Sequence, residues 1–259
     1  MLYSPPEMML IVFVTGLCIG SFLNVCIYRI PESKSIVTPP SSCPQCGYRI
    51  RYYDNIPVIS YLFLRGKCRQ CRAPISFRYP MVELISGFFA LWVYLRFGLH
   101  LQSLVYFAFI STLLVITFID IDHRIIPDAI SLPGIPLFFL ASFAVPSLTY
   151  MDSLLGIIAG GGSLYAVALT YLLLTKREGM GGGDIKLLAM MGGLIGWKGV
   201  FFTIFVSSAI GTVSGLAIML ATRKNMKLAV PFGPFLAMGA VIYIFFGQEL
   251  IFWYFGLMR

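Results

Sequence analysis

Gly181-Gly182-Gly183-Asp184-Ile185-Lys186 stands directly before an apolar segment, residues 187–197, that carries no ionisable side chain until Lys198. A carboxylate placed at or near the hydrocarbon boundary of a membrane is energetically costly, which suggests a functional role for Asp184. A second carboxylate, Asp120, ends another apolar segment, residues 99–119. If both segment ends lie on the same side of a membrane, the two carboxylates can meet around one water molecule. We predict that Asp120 and Asp184 form such a pair.

The composition predicts a membrane protein. Of the 259 residues, 58% are hydrophobic and only 12% are charged, and the mean hydropathy is +0.86. Soluble domains contain about 25% charged residues. The apolar segments are too long and too continuous for a β-barrel, so we predict an all-α polytopic membrane protein in contact with membrane lipid. The net charge of +8 reflects membrane topology, and we expect no nucleic-acid partner.

Eight apolar segments predict about eight transmembrane helices. The first lies within residues 1–30 and has no basic residues before it. We predict that it is a transmembrane helix with its N-terminus outside and not a cleaved signal peptide. The others cover residues 82–95, 99–119, 129–145, 154–174, 187–197, 200–221 and 232–257. Segment 187–197 is short for a crossing and could be re-entrant, but a full crossing fits the charge bias better, because it keeps most basic residues on the cytoplasmic side.

This scheme divides the chain into three parts. Residues 1–30 form the first transmembrane helix, residues 31–80 a polar, proline-rich cytoplasmic loop domain, and residues 81–259 a seven-helix membrane domain. The same topology places Asp120 and Asp184 on the cytoplasmic side. In the first helix, Gly16 and Gly20 have the small-xxx-small spacing that permits close helix packing.

Four cysteines in the loop domain predict a zinc site. They form two C-x-x-C pairs separated by 21 residues: Cys43, Cys46, Cys68 and Cys71. This is the spacing of a tetrathiolate structural site, and a metal would supply the folding free energy that this polar segment lacks. Disulfides are the alternative, but a cytoplasmic loop disfavours them. Four thiolates leave no open coordination position, so we expect the zinc to be structural.

Four aspartates are candidates for chemistry: Asp120, Asp122, Asp128 and Asp184. An ordinary interfacial, water-facing residue is an equally good interpretation of Asp122 and Asp128. The three glycines before Asp184 favour a close approach of the backbone to another segment. Two neighbouring carboxylates cannot both ionise easily, so together they supply one acid and one base.

These motifs together resemble the type IV prepilin leader peptidases, a family of aspartic membrane proteases. The resemblance covers nearly the whole chain. Its motifs are Gly20-Ser21-Phe22-Leu23-Asn24-Val25, the two cysteine pairs, Arg78-Tyr79-Pro80-Met81-Val82-Glu83-Leu84, Asp120-Ile121-Asp122-His123-Arg124-Ile125-Ile126-Pro127-Asp128, and the G-x-G-D signature that ends at Asp184.

The resemblance implies a function and a set of site residues. Asp120 and Asp184 would be catalytic, and Asp122 is the residue most easily confused with Asp120. The substrates would be prepilins or pseudopilins of a type IV pilus or type II secretion system, cut after a glycine at the bacterial inner membrane. Many members also methylate the new N-terminus with S-adenosylmethionine. The supporting residues would be Gly181, Gly183, Lys186, Arg124 and Asp128.

Two other functions use the same features. A proton-coupled transporter would employ the membrane carboxylates as a proton relay. A scaffold for secretion or pilus assembly would use the zinc loop to recruit a partner and would need neither aspartate.

Overall fold

The computed structural model describes residues 5–176, 181–222 and 231–257. It confirms the all-α fold, and within these ranges the only β features are two isolated bridges. The α-helices are α1 (Pro6–Arg29), α2 (Ile59–Phe63), α3 (Arg78–Phe97), α4 (Leu101–His123), α5 (Asp128–Ala141), α6 (Tyr150–Thr175), α7 (Gly182–Thr222) and α8 (Gly233–Leu257).

Six of these helices are long and apolar enough to cross a membrane, by length and composition: α1, α3, α4, α6, α7 and α8. A seventh apolar helix, α5, has 14 residues and contains Pro133 and Pro136. At a rise of about 1.5 Å per residue it extends only about 21 Å, less than the thickness of a hydrocarbon core. The integral membrane class is therefore confirmed, whereas the count of eight crossings stays a prediction.

Helix α7 is interrupted at Gly196, near the end of the first of the two apolar segments that it contains, residues 187–197 and 200–221. The backbone there has φ 66° and ψ 177°, a conformation that favours glycine and does not continue a helix. Residues 182–195 thus form a first part of about 21 Å, and residues 197–222 form a second part. The break lies beside the N-terminus of α6, where the Trp197 Nε1–H donates to Asp152 Oδ1 at 3.0 Å.

The chain divides into two compact units, residues 1–115 and 116–259, with the boundary inside α4. In the first unit, α1 and α3 pack closely through the predicted glycines. A Cβ atom at Gly20 would lie 2.7 Å from the Glu83 Cα, and one at Gly16 would lie 2.6 Å from the Ala90 Cβ. Ser86 strengthens this contact by donating to the Gly16 carbonyl at 2.8 Å.

Glu83, on α3, also binds the loop of the first unit at Val58. Its Oε2 accepts a hydrogen bond from the Val58 N–H at 2.8 Å, and only 8% of Glu83 is exposed. Val58 has φ 61°, which is unfavourable for a β-branched residue, so this part of the loop carries backbone strain.

In the second unit, α7 lies between α6 and α8. The backbones of α6 and the first part of α7 touch where Gly156 faces Gly192, and Ser153 donates to the Gly193 carbonyl at 2.5 Å. The second part of α7 packs on α8, where a Cβ atom at Gly239 would lie 2.9 Å from the Thr203 carbonyl oxygen. The same unit contains the end of α4 together with the starts of α7 and α8.

Several basic residues that support the predicted topology lie outside the described ranges: Arg177, Arg223, Lys224 and Lys227. The orientation of the chain in the membrane therefore stays a prediction.

Candidate active site and metal centre

Asp120 lies in the last turn of α4 and is one of the most buried charged residues of the described chain, with 5% of its surface exposed. Its Oδ2 accepts a hydrogen bond from the Gly233 N–H at 3.0 Å. Gly233 is the first residue of α8. The end of α4 and the beginning of α8 therefore meet at this carboxylate.

Asp184 is the third residue of α7 and is partly buried. Its carboxylate is close enough to Asp120 for the two to interact electrostatically. Of the three glycines before it, Gly183 makes the close approach, because a Cβ atom there would lie 3.0 Å from the Ile126 Cβ. The structure thus brings together the two aspartates that the sequence pairs.

The other candidate residues lie at the starts or ends of the neighbouring helices. Lys186 Nζ lies 2.8 Å from both Oδ1 and Oδ2 of Asp128, so an ion pair connects the start of α7 to the start of α5. Asp122 is exposed, which favours Asp120 over Asp122 as the partner of Asp184. Arg124 is also exposed, and its N–H donates to the Asp120 carbonyl at 2.9 Å at the end of α4.

Two carboxylates that interact electrostatically in a mostly buried site can share one proton. The ionised member can accept a proton from water, and the neutral member can donate a hydrogen bond to a substrate carbonyl. This arrangement suits hydrolysis of a peptide bond without a covalent intermediate.

The sequence did not single out Gly233. The signal available for it is Pro231-Phe232-Gly233-Pro234, a helix-breaking run directly before the last apolar segment. Such a run marks a helix start but does not indicate which side chain the start will contact.

The four loop cysteines form one cluster in the first unit. Their Sγ atoms all lie within 4.8 Å of one another, with Cys43 to Cys71 at 3.8 Å and Cys46 to Cys68 at 4.0 Å. Tetrahedral zinc with Zn–S bonds of about 2.3 Å requires sulfur atoms about 3.8 Å apart. The donor set and its spacing therefore fit a structural zinc ion.

The two halves of this cluster have the same backbone conformation. After Cys46, Gly47 has φ 69°, and its N–H donates to the Cys43 carbonyl at 2.9 Å. After Cys71, Arg72 has φ 61°, and its N–H donates to the Cys68 carbonyl at 3.1 Å. Backbone N–H donors from Cys71 and residue 70 lower the pKa of Cys68 to about 7, which favours the thiolate that binds metal.

Two protein-family models match separate parts of the chain. A family model described as the bacterial peptidase A24 N-terminal domain matches residues 14–97, and one described as the type IV leader peptidase family matches residues 107–216. Three relatives, each named prepilin leader peptidase/N-methyltransferase, come from Pseudomonas putida, Pseudomonas aeruginosa and Aeromonas hydrophila.

The P. putida protein is 36% identical, with 95% of this chain and 93% of the relative covered. The P. aeruginosa protein is 35% identical with the same coverage. The A. hydrophila protein is 34% identical, with 94% of this chain and 92% of the relative covered. No solved structure matches the chain significantly.

Proposed function

Because this chain belongs to the type IV leader peptidase family, we propose that it is a membrane aspartic endopeptidase that removes the basic leader peptide of a prepilin or pseudopilin. The observation that carries this proposal is the proximity of Asp120, in the last turn of α4, to Asp184, in the first turn of α7, which lets the two carboxylates interact electrostatically. The transporter and the scaffold gain no support from the comparisons.

In the proposed reaction, the ionised aspartate takes a proton from a water molecule while the water oxygen attacks the carbonyl carbon of the scissile bond. The neutral aspartate donates its proton to the carbonyl oxygen. The tetrahedral intermediate then expels the amine of the mature substrate. The aspartate that took the proton from water gives it to the leaving nitrogen as the C–N bond breaks, and one hydroxyl of the intermediate returns a proton to the other aspartate as the carboxylic acid forms. Each carboxyl group thereby returns to its starting state.

The location of the site follows from the substrate. A positively charged leader stays in the cytoplasm, whereas the hydrophobic helix after the cleavage point lies in the membrane. The scissile bond therefore sits at the cytoplasmic surface of the bacterial inner membrane. We place the zinc loop on the same side and the N-terminus outside, with residues 81–259 as the peptidase part.

We also propose that the protein methylates the new N-terminus with S-adenosylmethionine, as the name shared by its relatives indicates for them. This second activity rests on those relatives alone, and we assign no residue to the methyl donor. Zinc at Cys43, Cys46, Cys68 and Cys71 would cross-link the loop and takes no part in peptide cleavage.

The experiment is incubation of the purified full-length protein with a prepilin, with and without S-adenosylmethionine, and mass spectrometry of the product N-terminus. Asp120→Asn and Asp184→Asn should each abolish cleavage. The matched control is Asp122→Asn, which should only weaken it, because Asp122 is exposed. Normal cleavage by either of the first two variants would refute the assignment and would favour the scaffold.

A further inference from the structure

The start of α8 contributes a backbone donor to the aspartate pair. Among the hydrogen bonds of the described residues, the Gly233 N–H to Asp120 Oδ2 bond joins positions 113 residues apart at a buried point. We propose that Gly233 is a positioning residue, which holds the Asp120 carboxylate in its working orientation. This inference rests on the proposed peptidase function.

The sequence around Gly233 leaves one backbone donor pointing at the carboxylate. The first N–H groups of a helix have no partner within the helix. Here the N–H groups of Phe235 and Leu236 donate to the Phe232 carbonyl, at 3.0 and 3.2 Å. Pro234 has no N–H group. The Gly233 N–H is therefore the donor that remains at this turn for Asp120.

Position 233 also leaves no room for a side chain. A Cβ atom there would lie 2.6 Å from Asp120 Oδ2 and 3.3 Å from its Cγ. Both distances are shorter than an ordinary van der Waals contact. Asp120 is buried, so its carboxylate cannot move into solvent to relieve the overlap. Any larger residue must displace either the carboxylate or the start of α8.

The bond fixes which oxygen is available for chemistry. With Oδ2 held by the Gly233 N–H, Oδ1 is the oxygen left to interact with water or with Asp184. A hydrogen bond donated to a carboxylate oxygen stabilises its negative charge, and the positive end of the α8 dipole acts in the same direction. Asp120 is therefore the better candidate to accept the proton of water, with Asp184 as the proton donor.

The first test compares Gly233→Ala with Gly256→Ala in the full-length protein. Gly256 lies on the same helix, and a Cβ atom there would meet no other atom within 4 Å. We expect Gly233→Ala to lower kcat for prepilin cleavage about 100-fold with little change in KM, because misplacement of a catalytic group by about 1 Å has an effect of this size. Gly256→Ala should cleave at the wild-type rate.

A second measurement separates positioning from substrate binding and from misfolding. In an Asp120→Asn background, which cannot cleave, adding Gly233→Ala should leave the dissociation constant for uncleaved prepilin unchanged and the protein folded. Weaker prepilin binding would overturn the inference in favour of a substrate-contacting role, and wild-type kcat in Gly233→Ala would overturn it outright. Failure of the wild-type protein to cleave would instead reject the proposed function.

Discussion

The ion pair between Lys186 and Asp128 offers a test of how the segments that carry Asp120 and Asp184 are held in position relative to each other. Lys186 follows Asp184 by two residues, which is about 3 Å along the helix axis. Its Nζ contacts both carboxylate oxygens of Asp128 at 2.8 Å. Asp128 begins α5 directly after the turn that follows Asp120. The ion pair therefore connects the segments that follow Asp120 and Asp184 in the sequence.

The expected effect on stability is small. The side chains of Lys186 and Asp128 are 36% and 57% exposed, and exposed ion pairs contribute about 1 kcal/mol or less. In a chain of this size such a change shifts Tm by roughly 2–4 °C at most. The effect on rate should be larger, because the pair orients the turn that carries Asp184. We expect Lys186→Met to lower kcat between about 10- and 100-fold.

The assay is steady-state cleavage of a prepilin, with Tm measured on the same preparations. Lys198→Met is the matched control, because it removes the same charge from the same helix on the far side of Gly196, where Lys198 lies over the Trp197 ring. Exchanging the charges by combining Lys186→Asp with Asp128→Lys should recover much of the rate lost in either single variant. No recovery in the exchanged pair, or a Lys186→Met enzyme as active as Lys198→Met, would refute the reasoning.

Two further predictions concern the first unit. Elemental analysis should find one zinc ion in wild-type protein purified without chelators, and wild-type protein without zinc would contradict this prediction. Cys46→Ser should lose the ion, whereas Cys18→Ser, which changes an exposed cysteine outside the cluster, should keep it. Glu83→Gln should destabilise the first unit by about 1–3 kcal/mol, because an amide oxygen is a weaker acceptor than the carboxylate for the hydrogen bond from the Val58 N–H, which holds Val58 in its strained backbone conformation. Limited proteolysis should then cut the loop faster than in the exposed-site control Glu32→Gln, and equal rates would argue against this role for Glu83.

The helices and the metal site were predictable because their signals are local. Hydrophobic segments of 20 residues or more specify membrane helices by length and composition, as in α1, α4 and α8. The cysteine pairs specify two repeated turns, and the structure brings these turns together at the spacing of a tetrathiolate site. The small-residue spacing in α1 likewise predicts a close helix contact, which α3 supplies.

The contacts that complete each site were not predictable, because they join distant parts of the chain. Glu83 resembles an ordinary charged residue at a helix start, and only the fold shows that it accepts the Val58 N–H. Gly233 resembles an ordinary helix boundary in the same way. A hydrogen bond from a backbone N–H leaves no pattern of residue types, since every residue except proline carries that donor.

The glycines near the site show why a functional carboxylate can be found at a helix end in an apolar protein. Gly183 and Gly233 both lie at helix starts. A side chain at Gly183 would overlap with Ile126, and one at Gly233 would overlap with Asp120. Gly181 and Gly182 have open space around them, so the close approach needs only the last glycine of the run. A helix start carries free N–H donors and a positive dipole end, which a buried carboxylate requires in place of water. Glycine at position 233 lets the start of α8 come near enough for its N–H to donate to Asp120 in place of water, and this bond offsets part of the cost of burying the carboxylate.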